Sequence, residues 1–170
     1  MFSKKLDAAM SKQFNMELYS SYVYLAAASY LNSKNLEGFA HWMNLQVQEE
    51  LQHAAKFYHY ILERDGNLVL TDVKAPPKTF KSPLAACEAA LAHERKNTKQ
   101  INGLMDIAIA AKDHACAAFL QWFVDEQVEE EAQTSQLVEN VKMVQDSGGA
   151  LFMLDRELAK RQPTPTAEEA

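Results

Sequence analysis

Proline is missing from every stretch of this chain that carries a helical period. Five prolines and five glycines occur in 170 residues. Pro76, Pro77 and Pro83 gather in one connection, and Pro163 and Pro165 lie near the C-terminal end. A chain so poor in both residues is expected to be all-α. Cysteine is scarcer still: Cys87 and Cys116 stand far apart, both on inward registers, and read as reduced, buried small hydrophobes. With no pair of C-x-x-C motifs, a rubredoxin-type iron centre is excluded. Positive charge is also in deficit, 17 Lys and Arg against 23 Asp and Glu, for a net charge of -6. That balance leaves no footprint for nucleic acid and no polybasic stretch for a membrane surface, and it suits a partner that is a cation. No uninterrupted run of about eighteen apolar residues appears, and Met1 to Asp7 lacks an apolar signal core, so no membrane span and a cytoplasmic location are expected. The length fits one ordinary domain with a substantial core.

The helical period is present, and it is interrupted in a consistent way. Stepping by three and four residues from Met10 gives Phe14, Glu17, Ser21, Tyr24, Ala28 and Leu31, an inward stripe broken by a carboxylate. A second stripe, Phe39, Met43, Gln46, Glu50, His53, Phe57 and Tyr60, puts Glu50 and His53 on one face a single turn apart. The third reads Leu84, Cys87, Leu91, Glu94, Thr98, Ile101, Met105 and Ala108, and the fourth Cys116, Phe119, Phe123, Gln127, Glu130, Thr134, Leu137, Val141 and Val144. Each helix therefore aims at least one ligand-type group at a common axis.

Buried carboxylates without partners cost several kcal/mol per ion, so this group must share protons, pair with cations or hold metal. His53 is the one obvious counter-charge in register. Glutamates with a single imidazole form a hard, oxygen-rich donor set that favours iron or manganese over a thiolate zinc site.

The first helix is expected over Ser3 to Leu31 and the second over Leu36 to Arg64, antiparallel across the Asn32 to Asn35 turn. Asp65 and Gly66 stop the second. A long connection without helical period, Asn67 to Ser82, contains the extended apolar segment Leu68, Val69 and Leu70; it lets the second and third helices run parallel. Ser82 and Pro83 open a third helix ending near Ala111, and Asp113 caps a fourth that ends before Ser147, Gly148 and Gly149. Beyond the glycines, Leu151, Leu154 and Leu158 mark a short amphipathic helix, about 150–161, too short to stand alone in water and expected to pack against other subunits. Residues 162–170 are polar and read as a flexible tail. The domain thus spans 1–161, its bundle about 3–145, with no internal repeat.

Glu50-x-x-His53 on one helix, single acids Glu17 and Glu94 on two others, and Gln127-x-x-Glu130 on the last resemble the carboxylate-bridged di-iron arrangement of ferritin-like bundles. With Gln13-Phe14-Asn15-Met16-Glu17, Glu49-Glu50-Leu51-Gln52-His53-Ala54, His93-Glu94 and Glu126 to Glu131, the chain resembles the ferritin family from Leu6 to about Arg161, and most closely the bacterial non-haem ferritins. The resemblance implies a four-helix bundle with a long crossover and a short fifth helix. It implies that Glu17, Glu50 and His53 hold one iron, that Glu50 bridges to a second held by Glu94 and Glu130, and that Gln127 lies beside them as a hydrogen-bonding group. A third, looser iron site would use Glu49, Glu126, Glu129 and Glu130. Tyr24 matches a tyrosine near such diiron centres that can hydrogen-bond or donate an electron; a core tyrosine with a satisfied hydroxyl is the other reading.

Bacterioferritins, which bind haem between subunits, repeat E-x-x-H on the last helix; Gln127-x-x-Glu130 departs from that, and haem is not expected. His41, His59, His93 and His114 fall off the ligand register and read as surface or structural, as Trp42 and Trp122 read as packing residues. By resemblance the chain is an iron-storage protein with ferroxidase activity. It would oxidise Fe(II) with O2, or with H2O2, and lay down Fe(III) as hydrous oxide inside a homo-oligomeric shell of about 24 subunits. Two rivals use the same residues. One is a diiron redox enzyme, which would need an electron donor or substrate pocket; the other is a structural bundle whose inward acids make only internal ion pairs.

Overall fold

A computed structural model of the chain describes residues 2–163. Its helices are α1 (Lys4–Asn32), α2 (Glu37–Glu63), α3 (Pro83–Ala110), α4 (His114–Val144) and α5 (Gly148–Leu158), with no strand among the described residues. The first four form the expected bundle: α1 packs on α2 and α3, α3 packs on α4, and α5 lies across α2 and α4. The flexible tail expected over 162–170 falls, from residue 164 on, outside the described residues. No helix among the described residues is long and apolar enough to cross a membrane.

Local chemistry sets the helix ends. Ser3 accepts from Leu6 N–H, Ser82 from Ala85 N–H, Asp113 from Cys116 N–H and Ser147 from Ala150 N–H. Each such cap satisfies a backbone donor the helix cannot. α1 closes through Asn35, at φ 58 in the left-handed region, while Leu36 N–H returns to the Leu31 carbonyl at 3.1 Å. At the end of α2 the left-handed residue is Asp65 (φ 52), not the neighbouring glycine. Gly66 serves close approach instead: a Cβ there would meet Asp7 Oδ1 at 2.8 Å and the Ile61 carbonyl oxygen at 2.9 Å.

The crossover is held by a stripe of polar residues on α1. Asn67 N–H donates to Asp7 at 3.1 Å, and Ser11 Oγ donates to the Asn67 carbonyl at 3.1 Å while accepting from Val69 N–H at 3.2 Å. Asn15 donates to the Val69 carbonyl at 2.8 Å and accepts from Thr71 N–H at 2.9 Å. Four residues of helix rise about 6 Å and two of extended chain about 6.6 Å, so Asp7, Ser11 and Asn15 match alternate residues of the strand-like segment. Val69 and Leu70 are left exposed, as an apolar edge beside α1.

α5 begins earlier than expected. Gly148 and Gly149 are its first turn and not a stop signal before it, since Ser147 caps the helix there. Leu151, Leu154 and Leu158 seat α5 on the bundle's own core, while Phe152 and Met153 face outward. That approach depends on Gly38, where a Cβ would lie 1.7 Å from the Asp155 carbonyl oxygen.

The interior is layered. One apolar plug contains Leu31, Phe39, Trp42, Met43, Cys87, Leu91, Leu137 and Val141. The other contains Leu6, Met10, Phe14, Phe57, Ile61, Ile101, Leu120 and Phe123. Between the two lies a belt of buried polar side chains, Gln13, Glu17, Gln46, Glu50, His53, Glu94, Asn97, Gln127 and Glu130. Both cysteines are free and buried in the plugs, and burial pushes the Cys87 thiol up to about 12 and that of Cys116 to about 11, so neither offers a thiolate.

Candidate metal centre

The belt exists because the inward stripe of each helix changes from apolar to polar at the same height and back again one or two turns later. Glu17 (α1), Glu50 and His53 (α2), Glu94 (α3), and Gln127 and Glu130 (α4) are each at most 4 % exposed. Ligand atoms of Glu17, Glu50 and His53 lie within 4.8 Å of one another, as do those of His53, Glu126 and Glu130. His53 is thus common to two adjoining groups. Glu94 belongs to neither; its Oε1 accepts from the Tyr24 hydroxyl at 2.6 Å and its Oε2 from Gln127 Nε2 at 3.2 Å. Glu129 is exposed, Glu126 half-buried, and Glu49 is bonded through both carboxylate oxygens to Arg161.

Glu50 stands out energetically. Neither of its oxygens has a hydrogen-bond donor, although the residue is 1 % exposed. His53 Nδ1 lies 3.5 Å from Oε2. Glu17 and Glu94 lie against Glu50, but carboxylates hold one another only through a shared proton. As ions they repel and leave both Glu50 oxygens bare. No lysine or arginine is buried among the described residues, so no fixed cation lies within the belt.

Titration follows from that arrangement. Burial, with Glu94 and Glu17 behind it, raises the Glu50 carboxyl well above the ordinary range. Burial pushes Glu94 up to about 7, against hydrogen bonds from Tyr24 and Gln127. Glu130 is raised by burial and by Glu94, and Tyr24 by burial and the same acids. His53 is lowered by burial, though Glu17 and Glu49 oppose the shift. These shifts favour protonated carboxyls and a neutral imidazole, and a metal cation can replace the protons with a charge the carboxylates bind better.

The family profile of the ferritin-like domain matches residues 7–144, which contain all but the first turn of the bundle and every residue of this centre. The chain belongs to the ferritin-like family. It is 39% identical over 161 residues to a bacterial non-haem ferritin of Bacteroides fragilis, covering 95% of this chain and 100% of that protein. It is 37% identical to one from Staphylococcus epidermidis, covering 95% and 97% of the two chains. Among solved structures, an engineered closed form of the Archaeoglobus fulgidus ferritin superposes with a TM-score of 0.94 at 45% identity, over 96% of this chain and 100% of that one. An open-pore ferritin from the same archaeon gives 0.93 at 45% identity, over 95% and 100%.

This ferritin-like belt also holds residues that the helical pattern did not single out as site residues. Gln13 Nε2 donates to Glu17 Oε1 at 2.6 Å and to Asn97 Oδ1 at 2.7 Å, and Asn97 Nδ2 donates to Glu17 Oε2 at 3.1 Å and Gln127 Oε1 at 3.3 Å. A chain of buried amides thereby links Glu17 to Glu94 by way of Gln127. Gln46 Nε2 donates to Glu130 Oε2 at 2.7 Å. Each of these amides lies one turn from an inward acid, and that spacing was the available signal. Thr98, half-buried, donates to Glu131 at 2.5 Å and accepts from Gln127 at 3.2 Å. Arg161, beyond the last helix, had no periodic signal at all.

The histidines off register have structural surroundings. His93 Nε2 meets Ser20 Oγ at 2.7 Å and its ring packs edge-on against Tyr19, with burial lowering it to about 4. His59 and His114 are exposed, and His41 Nε2 meets the Arg161 carbonyl at 2.9 Å. Trp122 packs against His53 at 5.5 Å between ring centres and carries Lys56 over its outer face at 4.4 Å.

Proposed function

We propose that this ferritin-like chain stores iron: it takes Fe(II) into the belt, oxidises it there with O2, and passes Fe(III) to a hydrous oxide mineral enclosed by a shell of identical subunits. The observation that carries this reading is the Glu50 carboxylate, buried without a donor in a belt that holds no fixed cation. An anion so placed is stable only with a proton or a metal. Its neighbours supply hard oxygen donors and one neutral imidazole, a set suited to iron.

Fe(II) is substrate and cargo. Glu17, Glu50 and His53 provide one convergent group, and His53, Glu126 and Glu130 a second that opens outward through half-buried Glu126. Each Fe(II) gives up one electron, and O2 accepts electrons and protons. Carboxylates favour this because hard anions stabilise Fe(III) over Fe(II) and exchange readily between terminal and bridging modes, so product is not trapped. Gln13, Asn97 and Gln127 hold Glu17 and Glu94 apart at fixed orientation, and the two apolar plugs limit water at the centre. Tyr24, bonded to Glu94, is placed to hold that carboxylate and, in the redox reading, to lend an electron.

Storage requires a cavity that one bundle lacks, so the storing form is a closed shell of about 24 copies, close to 460 kDa for a 19.1 kDa chain. Aerobic Fe(II) addition tests the whole reading. Fast oxidation should accompany retention of on the order of hundreds of irons per shell eluting near that mass. Oxidation without retention would favour a diiron redox enzyme, and absence of Fe(II) uptake would favour a purely structural bundle.

A further inference from the structure

The segment after α5 returns along α2 and reaches the edge of the metal centre. Asp155 Oδ1 accepts from Phe39 N–H at 3.0 Å, His41 meets the Arg161 carbonyl, and the Arg161 guanidinium lies over the Trp42 ring at 4.8 Å. From there Arg161 Nη1 donates to Gln46 Oε1, and Nη2 donates to both oxygens of Glu49 at 3.1 and 3.0 Å and to Gln133 Oε1 at 3.2 Å. The side chain is only 19% exposed and its Glu49 partner 10%. Such an ion pair, stacked on an indole and shielded from solvent, is far from an ordinary surface pair.

Its position relative to the centre gives it meaning. Gln46, held by Arg161 through its oxygen, uses its nitrogen to hold Glu130, one of the convergent acids of the outer group. Glu49 lies near enough to Glu126 and Glu130 to raise both by its charge. Three acids thus gather at the outward side of the belt, and a guanidinium from the segment beyond α5 sits on one of them.

Resting on the iron-storage reading, we propose that Arg161 is a built-in, displaceable cation for the outer carboxylates: it holds Glu49 while no metal is there and yields it when a cation moves outward from the centre. The exchange requires no oxidant or proton source, only replacement of one cation by another on the same carboxylate. It also ties the seating of α5 to the passage of cargo. The guanidinium prevents Glu49, Glu126 and Glu130 from becoming a deep trap that would retain Fe(III) short of the mineral.

Calorimetric titration of the assembled, iron-free protein with Zn(II), which has no redox chemistry, separates inner from outer binding. The inner class is the one lost in Glu50→Ala, and the outer class the one lost in Glu126→Ala. Arg161→Gln should tighten the outer class about tenfold with the inner class unchanged, and Arg161→Lys, a cation without the second nitrogen that holds Gln46, should fall between. Hydrogen exchange in residues 155–161 of the parent protein should rise on filling the outer class. An outer affinity in Arg161→Gln equal to or weaker than the parent's overturns the proposal while leaving the iron-storage reading intact. Absence of any Zn(II) binding to the parent removes both.

Discussion

An unprotonated Glu50 is the least comfortable group in the metal-free protein, and its removal separates its two roles. Glu50→Ala deletes a buried carboxyl that, without metal, is either an ion repelled by Glu94 and Glu17 or an acid left without hydrogen-bond partners, so the metal-free form should unfold at an unchanged or higher temperature despite the small cavity left behind. The same change should slow the fast phase of Fe(II) oxidation about 100-fold or more, because Glu50 is one of only two carboxylates in the inner convergent group. Stopped-flow absorbance at fixed Fe(II), with calorimetric melting of the iron-free shell, checks both; unchanged kinetics would exclude Glu50 as the bridging carboxylate. At this scale the sequence was legible where a polar side chain replaced an apolar one on an inward stripe, as at Glu17, Glu50, His53, Glu94, Gln127 and Glu130. It was less legible where the stripe forks. After Glu94, steps of three and four lead to Asn97 and Thr98; the pattern took Thr98, yet Asn97 is the fully buried residue that bonds Glu17 and Gln127. Glu49 and Arg161 meet across 112 residues, a pairing that no periodicity encodes.

Helix ends and helix contacts divide in the same way. Ser3, Ser82 and Asp113 are caps that short-range chemistry announces, and the bundle's helices begin and end within a residue or two of expectation. α5 differs because two adjacent glycines resemble a stop signal, whereas Ser147 makes them a first turn. Its seat depends on a glycine in another helix. Gly38 lets the Asp155 carbonyl come closer to α2 than any side chain permits, so Gly38→Ala should push α5 off its groove. Loss of the Asp155 to Phe39 bond and the apolar cover of Leu151, Leu154 and Leu158 should lower the melting temperature by several degrees, corresponding to about 2 kcal/mol. Tryptophan fluorescence reports the same event locally, since Arg161 would leave Trp42. A melting curve and emission spectrum identical to the parent's would mean that α5 tolerates the methyl by sliding as a rigid unit.

For the whole molecule, the buried belt turns pH into a stability variable, and the direction follows from which state binds more protons. Glu94 at about 7, with Glu50 and Glu130 raised well above their ordinary values, keeps protons in the folded state that the unfolded chain releases near 4.5. These acids favour the fold fully at low pH and lose that contribution as pH rises through their folded values. His53, lowered by burial, and His93, lowered to about 4, act oppositely, because the unfolded chain binds their protons more readily; their contribution is complete once pH exceeds about 6.5. Below that pH the two sets oppose each other, and above it the acids alone remain. The iron-free protein should therefore lose stability between pH 6.5 and 8. Bound metal takes the place of the acids' protons, so the slope should flatten or reverse when Zn(II) fills the centre, and binding at pH 7 should release protons that scale with the buffer's ionisation enthalpy. Melting temperatures across that window, with and without Zn(II), decide the matter. An iron-free stability that rises from pH 6.5 to 8 would mean that the belt is ionised and already paired, with Glu50 satisfied without metal.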